Sequence, residues 1–146
     1  MITKVRLITA ISIFTCCLIA WSCSPISVFS PDAYKQAVDL KVEALNLMSF
    51  AASPYADYEE EVLYLKTELK KAYEFALGRP NNEISAGQWE ILINEEGNLL
   101  GGFLKRWEVE DALSEMFVTE MQTLVSDAFD TIIGLESGKI DPSELK

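Results

Sequence analysis

The chain has 146 residues, with 23 acidic side chains against 12 basic ones, a net charge of −11 and no histidine. This balance argues against nucleic-acid binding, which needs clustered lysine and arginine. The lack of histidine excludes Ser-His and Cys-His nucleophile pairs, and with them the usual zinc and di-iron ligand sets of helical proteins.

The chain begins with a short apolar leader. Two basic residues precede an apolar run over residues 7–20, and the small residues Ala20 and Ser22 then lead to Cys23. This order is that of a secretory signal peptide, and the run is too short to cross a bilayer as a helix. The sequence therefore predicts a signal peptide over residues 1–22.

The stretch Ala20-Trp21-Ser22-Cys23 resembles the lipobox of bacterial lipoproteins, a resemblance that covers only the start of the chain. It implies that the leader is removed and that Cys23 becomes the first residue and carries the lipid that binds the membrane. Ser24 implies sorting to the periplasmic face of the outer membrane, where the host has two membranes. The lipobox usually has leucine where Ala20 stands. Two alternatives therefore stay open, an unlipidated secreted protein and an uncut leader that serves as an anchor.

Removal of residues 1–22 leaves 124 residues, which is the size of one domain. It also shifts the net charge from −11 to −13, because the leader holds two cations and no anions. Only Cys23 then remains of the three cysteines, so no disulfide framework is available. We divide this body into a lipidated tether (23–30), a helical bundle domain (31–136) and a flexible C-terminal tail (137–146). The acidity indicates either solubility or a basic partner surface.

Helix starts are predicted from capping residues, and helix faces from apolar residues spaced three and four apart. The predicted caps are Ser30, Asp57, Ser85 and Asp111. The predicted face of the first helix is Tyr34, Val38, Val42, Leu45, Ser49 and Ala52. That of the second is Tyr58, Val62, Leu65, Leu69, Ala72, Tyr73 and Ala76. That of the last, expected to be central to the core, is Leu113, Phe117, Met121, Leu124, Ala128, Ile132 and Leu135, widened by Met116, Val125, Phe129 and Ile133. The pattern predicts an all-α bundle of four to five helices.

The segment from Trp89 to Trp107 has the least regular pattern in the body. Gly97 indicates a break between two helices, although one bent helix would also fit the apolar spacing. We interpret this region as a candidate partner-binding surface, because local rules often fail at functional sites. Its floor would be Gly101, Gly102, Phe103 and Trp107, and its rim Lys105 and Arg106. The plainer alternative is a close helix crossing with core aromatic residues and a solvated basic turn.

Carboxylates are the remaining candidates for chemistry. They cluster at three predicted helix ends, namely Glu59/Glu60/Glu61, Glu95/Glu96 and Glu108/Glu110/Asp111. Solvated capping accounts for such positions, so the sequence predicts no catalytic residue, no metal site and no cofactor. A carboxylate-based cell-wall hydrolase is a remote alternative.

The sequence as a whole predicts a lipid-anchored, acidic, helical protein that is not an enzyme. It would be a binding or accessory module facing the periplasm, an escort or adaptor for an envelope protein. In size and expected location it is similar to the small helical lipoproteins of secretion systems. This analogy assigns no function to any particular residue. The alternative is an inhibitor or immunity-type lipoprotein that blocks a basic toxin or enzyme.

Overall fold

The computed structural model describes Ser27 and residues 29–145, and within them it contains five α-helices and no strand. The helices are α1 (Pro31–Met48), α2 (Glu59–Leu77), α3 (Glu83–Ile93), α4 (Leu100–Glu110) and α5 (Glu115–Ser137). Short 3-10 turns lie at Tyr55–Asp57 and Pro142–Leu145. The predicted all-α bundle of four to five helices is confirmed. The signal peptide (1–22), the lipidation of Cys23 and the role of Ser24 lie outside the described residues.

Helix α5 contacts α1, α3 and α4, while α2 packs between α1 and α3. The central position predicted for the last helix is therefore confirmed. Its buried residues are Val118, Met121, Val125, Phe129, Ile132 and Leu135. Leu124 was expected on this face and is 51% exposed, so that assignment is wrong. The buried face follows the side of the predicted stripe that contains Val125 and Phe129, which puts Leu124 and Met116 beyond its edge.

Helix α1 buries a face made largely of alanine. The buried residues are Ala33, Ala37, Leu40, Ala44, Leu47 and Met48. Tyr34 and Val42, which the apolar spacing placed in the core, are exposed. Their assignment was wrong because small alanines let neighbouring helices approach closely and so determine which face is buried, although each contributes little apolar area.

One of the four predicted caps is confirmed. The Ser30 hydroxyl accepts a hydrogen bond from the Ala33 N–H (3.2 Å), with Pro31 as the first helical residue. The other three predictions are wrong, because α2, α3 and α5 are preceded by Tyr58, Asn82 and Ser114.

The three displaced cap residues have other roles. Asp57 belongs to the 3-10 turn before α2. Ser85 lies inside α3 and is buried. Asp111 ends α4, and its backbone oxygen and Oδ1 accept hydrogen bonds from the Tyr55 N–H (2.7 and 3.1 Å). Ser85 and Asp111 have partners that are distant in sequence, Glu136 and Tyr55, which a local capping rule does not register.

The segment after α5 packs back on the bundle. The N–H groups of Lys139 and Ile140 donate to the Gly134 carbonyl (2.9 and 3.1 Å), and Pro142 is buried. The Ile140 side chain lies where a side chain at position 134 would be. Part of the segment predicted as a flexible tail (137–146) is thus held against α5. No helix in the described part of the chain is both long and apolar enough to span a membrane.

Candidate functional site

Most of the surface predicted between Trp89 and Trp107 is core. Gly101, Phe103 and Trp107 are buried, and Trp89 packs edge-to-face against Phe129 with ring centroids 5.9 Å apart. The Trp107 Nε1–H donates to the Ser53 carbonyl (3.0 Å), which satisfies its only polar group. These buried side chains hold helices together, and their role as the floor of a partner site stays a prediction.

Gly101 and Gly102 allow α4 to cross directly over the end of α3. A Cβ at position 101 would lie 2.3 Å from the Ile93 carbonyl oxygen, and one at position 102 would lie 1.9 Å from the Gly97 carbonyl oxygen. Both neighbours are backbone atoms that cannot swing aside. The irregular pattern at this point therefore reflects a close crossing between two separate helices, α3 and α4.

The predicted rim residues Lys105 and Arg106 are exposed and form ion pairs along α4. Lys105 pairs with Glu108 (3.3 Å) and Arg106 with Glu110 (2.8 Å), and the Arg106 guanidinium lies 4.3 Å from the centroid of the Phe117 ring. A cleft of about 160 Å³ adjoins them, lined by Gly97, Asn98, Gly102, Phe103, Arg106, Phe117 and Met121. The predicted binding role of Gly102, Lys105 and Arg106 stays a prediction, on a much smaller surface than the sequence indicated.

A larger cleft, of about 500 Å³, lies between α1 and α2, and the sequence analysis missed it. We call it the α1–α2 cleft. It is lined by Asp32, Lys35, Gln36, Asp39, Leu40, Glu43, Tyr64, Glu68 and Phe75. Leu40 is buried at its base, whereas the aromatic rings of Tyr64 and Phe75 are exposed. No local signal indicates this site, because each helix contributes only a polar flank and the cleft exists only once the two helices are paired.

The α1–α2 cleft is acidic, with four carboxylates and one ammonium group among its lining side chains. Lys35 pairs with Asp39 along α1, and Lys71 pairs with Glu68 (2.5 Å) along α2. The hydrogen bond from Lys71 to Glu68 raises the pKa of that lysine above its ordinary value. Asp32 and Glu43 make no ion pair with any residue in the described ranges. The cleft thus retains carboxylates able to accept hydrogen bonds from a cationic partner.

The three carboxylate clusters noted in the sequence lie on the surface. Glu95 pairs with Lys66 of α2 (2.9 Å), and this hydrogen bond lowers the pKa of Glu95 below its ordinary value. None of the three clusters forms a buried pair of the kind that acid–base catalysis of glycoside hydrolysis requires. Within residues 29–145 no group of three or more acidic or cysteine side chains is arranged to hold a metal ion.

A different carboxylate, Glu136, is buried near the end of α5, and the sequence analysis missed it. It forms an ion pair with Arg79 and accepts hydrogen bonds from the Ser85 hydroxyl (2.5 Å) and the Asn82 amide (3.4 Å). The same amide also donates to the Ala76 carbonyl (3.0 Å). This network joins α2, α3 and α5 and has no room for a ligand, because the adjacent cavity holds only about 10 Å³. A signal was present in the sequence, since Glu136 follows Leu135 on the apolar face of the helix.

In comparisons with protein-family models, curated proteins and solved structures, the chain matches none of them. The candidate site consequently stands on its own geometry.

Proposed function

We propose that this protein is a lipid-anchored binding module of the cell envelope that holds a cationic segment of an envelope protein in its α1–α2 cleft. The anchor is the lipid on Cys23, and the body faces the periplasm from the outer membrane where the host has two membranes. The observation that carries the proposal is the cleft itself, in which Asp32 and Glu43, which form no ion pair with a described residue, lie beside the buried Leu40.

The chemistry of the cleft fits a lysine or arginine side chain. The methylene stem packs along Leu40 and the exposed rings of Tyr64 and Phe75, while the charged head reaches Asp32 or Glu43. Aromatic faces also attract such a head directly. The cleft volume of about 500 Å³ accommodates a few such side chains, so the fitting ligand is a helix or strand with basic residues along one face.

The same acidic cleft also supports the alternative of an inhibitor or immunity-type lipoprotein. Such a protein would cover the basic active surface of a toxin or enzyme. The two functions differ in what happens to the partner, because an inhibitor abolishes its activity and an adaptor or escort preserves it. Assay of the partner's activity with and without this protein separates them.

Site-specific photocrosslinking in the native envelope tests the position of the site. The residue Tyr64 is replaced by p-benzoylphenylalanine, a bulky aromatic residue that suits this exposed position. Leu124 on α5, similarly exposed, receives the same replacement as a control, and Lys105 receives it to test the surface on α4. We expect one protein to be crosslinked from position 64 and not from 124. Crosslinking from position 105 instead of 64 would place the site on α4 and remove the cleft from the proposal.

A matched pair of charge variants tests the chemistry. Asp32→Asn with Glu43→Gln removes two charges from the α1–α2 cleft, and Glu120→Gln with Asp127→Asn removes two from the exposed side of α5. Loss of two charge-assisted hydrogen bonds should weaken capture of the crosslinked partner by about 100-fold, and raised salt should weaken the wild-type complex. Equal effects of the two pairs would mean that net charge, and not the cleft, determines binding.

A further inference from the structure

Four helix ends meet at one end of the bundle, which we call the tether end. They are the start of α1, the end of α2, the start of α3 and the end of α5, which shared contacts bring together. Ser27, Asn82 and Pro142 line one small cavity there, and the Arg79–Glu136 ion pair joins α2 to α5 beside it. The segment that leads to Cys23 therefore reaches the body at the tether end.

The tether end also exposes large apolar side chains. Phe29 and Leu77 are each 56% exposed. The Phe29 ring contacts that of Tyr34, with centroids 6.4 Å apart, so the first turn of α1 extends this surface. Water solvates these side chains unfavourably, at a cost of about 25 cal/mol per Å² of apolar surface.

The short tether limits how far this end lies from an anchored cysteine. Ser27 is four residues after Cys23 and already lines a cavity of the body. Four fully extended residues reach at most about 14 Å. If acyl chains on Cys23 lie in the bilayer, the tether end lies within about 15 Å of the membrane surface. This distance is half the thickness of the hydrocarbon core.

We propose that the tether end rests on the lipid bilayer, with Phe29 and Leu77 inserted among the headgroups. The proposal rests on the lipid anchor of the proposed function and adds a second contact between the protein and the membrane. The body has a net charge of −13 without the leader, so attraction to anionic lipid does not drive this contact. The matching surface is a zwitterionic bilayer, which takes up aromatic and leucine side chains at its interface. α1 would then start at the membrane. The α1–α2 cleft would begin near the membrane, at Asp32 and Phe75, and extend away from it.

Spin labelling of the lipidated protein in vesicles tests the contact. Cleavage removes Cys16 and Cys17 and the lipid blocks the thiol of Cys23, so an introduced cysteine is the single free thiol. The variants are Leu77→Cys at the tether end and Met116→Cys, exposed at the far end of α5. Both are labelled in vesicles of phosphatidylcholine and phosphatidylethanolamine. We expect a water-soluble nickel chelate to reach label 77 at least about fivefold less often than label 116, with no change in high salt, because the contact is apolar.

Three outcomes overturn the proposal, and they can be told apart. Equal access of the chelate to both labels means that the tether end stays in water, while the lipid anchor and the cleft remain standing. Dipolar broadening between labels at position 77 in highly diluted protein means that a second copy covers this surface. Mass spectrometry of the mature N-terminus is the third test, because an unmodified Cys23 or an intact leader removes the basis of the contact and of the anchor together.

Discussion

Glu136 shows how a single side chain can determine the packing of several helices. Among the described residues it is the one buried acidic side chain, 4% exposed, and its two oxygens receive contacts from Arg79, Ser85 and Asn82. A buried carboxylate is costly unless it is paired and hydrogen-bonded. The charge and the polar groups around it are therefore interdependent, and removal of the carboxylate takes a hydrogen-bond or ion-pair partner from all three.

We predict that Glu136→Gln lowers the free energy of unfolding by about 3–5 kcal/mol, because it removes the buried charge that pairs with the Arg79 guanidinium. Urea unfolding followed by circular dichroism measures the change. The control is Asp130→Asn, which breaks the exposed pair with Lys41 (2.6 Å) and should cost less than about 1 kcal/mol. Similar losses in the two variants would mean that burial of the Glu136 pair contributes nothing specific.

Two glycines in helices should respond to alanine in opposite directions. Gly101→Ala places a Cβ against the Ile93 backbone, so overpacking should destabilise the protein by about 1–3 kcal/mol or more. Gly87→Ala in α3 meets no atom within 4 Å and should stabilise it by about 0.5–1 kcal/mol through helix propensity. Thermal unfolding of both variants checks the signs, and a stabilising Gly101→Ala would contradict the close crossing of α3 and α4. Because Gly101→Ala perturbs the core, Lys105→Glu is the better probe of binding on α4.

At the scale of elements, α5 is the helix around which the others pack. Its buried face contains Phe129 and excludes Leu124. Phe129 is fully buried and contacts Trp89, whereas Leu124 projects into solvent. We predict that Phe129→Ala costs about 3–5 kcal/mol of stability and that Leu124→Ala costs less than about 0.5 kcal/mol. Chemical unfolding of the two variants measures both values. A large loss from Leu124→Ala would restore the face that the sequence spacing predicted.

The Glu95–Lys66 pair fastens the turn after α3 to α2, and its contribution should depend on pH. The hydrogen bond from Lys66 lowers the pKa of Glu95 from its ordinary 4.5, so the folded state favours the ionised form. The stabilisation is therefore present above pH 4.5 and is lost as the pH falls through the lower pKa of the folded state. We predict that Glu95→Gln costs less than about 1 kcal/mol at pH 7, since the pair is largely exposed, and nothing once the pH is below that pKa. A cost that is the same at both pH values would contradict the pairing.

At the scale of the whole molecule, the fold class could be predicted from apolar spacing, but the same spacing left open whether residues 85–110 form one bent helix or the two separate helices α3 and α4. The alanine face of α1 could not, because spacing rules give weight to large apolar residues such as Val42, which is exposed. The α1–α2 cleft could not be predicted either, since Glu43 and Tyr64 are ordinary surface residues until two helices are paired. The irregular pattern around Gly101 was noticed correctly, but it marked a packing constraint and not an exposed site.

The packing of α1 against α5 has a consequence for the order in which the body can fold. This is the most extensive helix–helix contact described, and it joins the first described helix to the last long one. A chain leaves the ribosome or a translocation channel with its N-terminus first. α1 is therefore exposed long before α5 is available to cover it. Ala37 and Phe103 then lack part of the core that buries them. The closure of a long loop, with its entropic cost, must wait for the final helix.

We therefore expect a chain arrested after Glu110 to stay open and to be digested rapidly by protease, while the full-length chain resists. Resistance of the arrested chain would show that the first four helices already form a stable body. Late packing of α5 onto α1 suits a protein that must be threaded across a membrane before it folds. A chain without a stable core does not have to be unfolded before it enters the channel. Under the proposed secretion, the packing of α5 onto α1 would set the moment at which the chain can no longer be threaded through a channel.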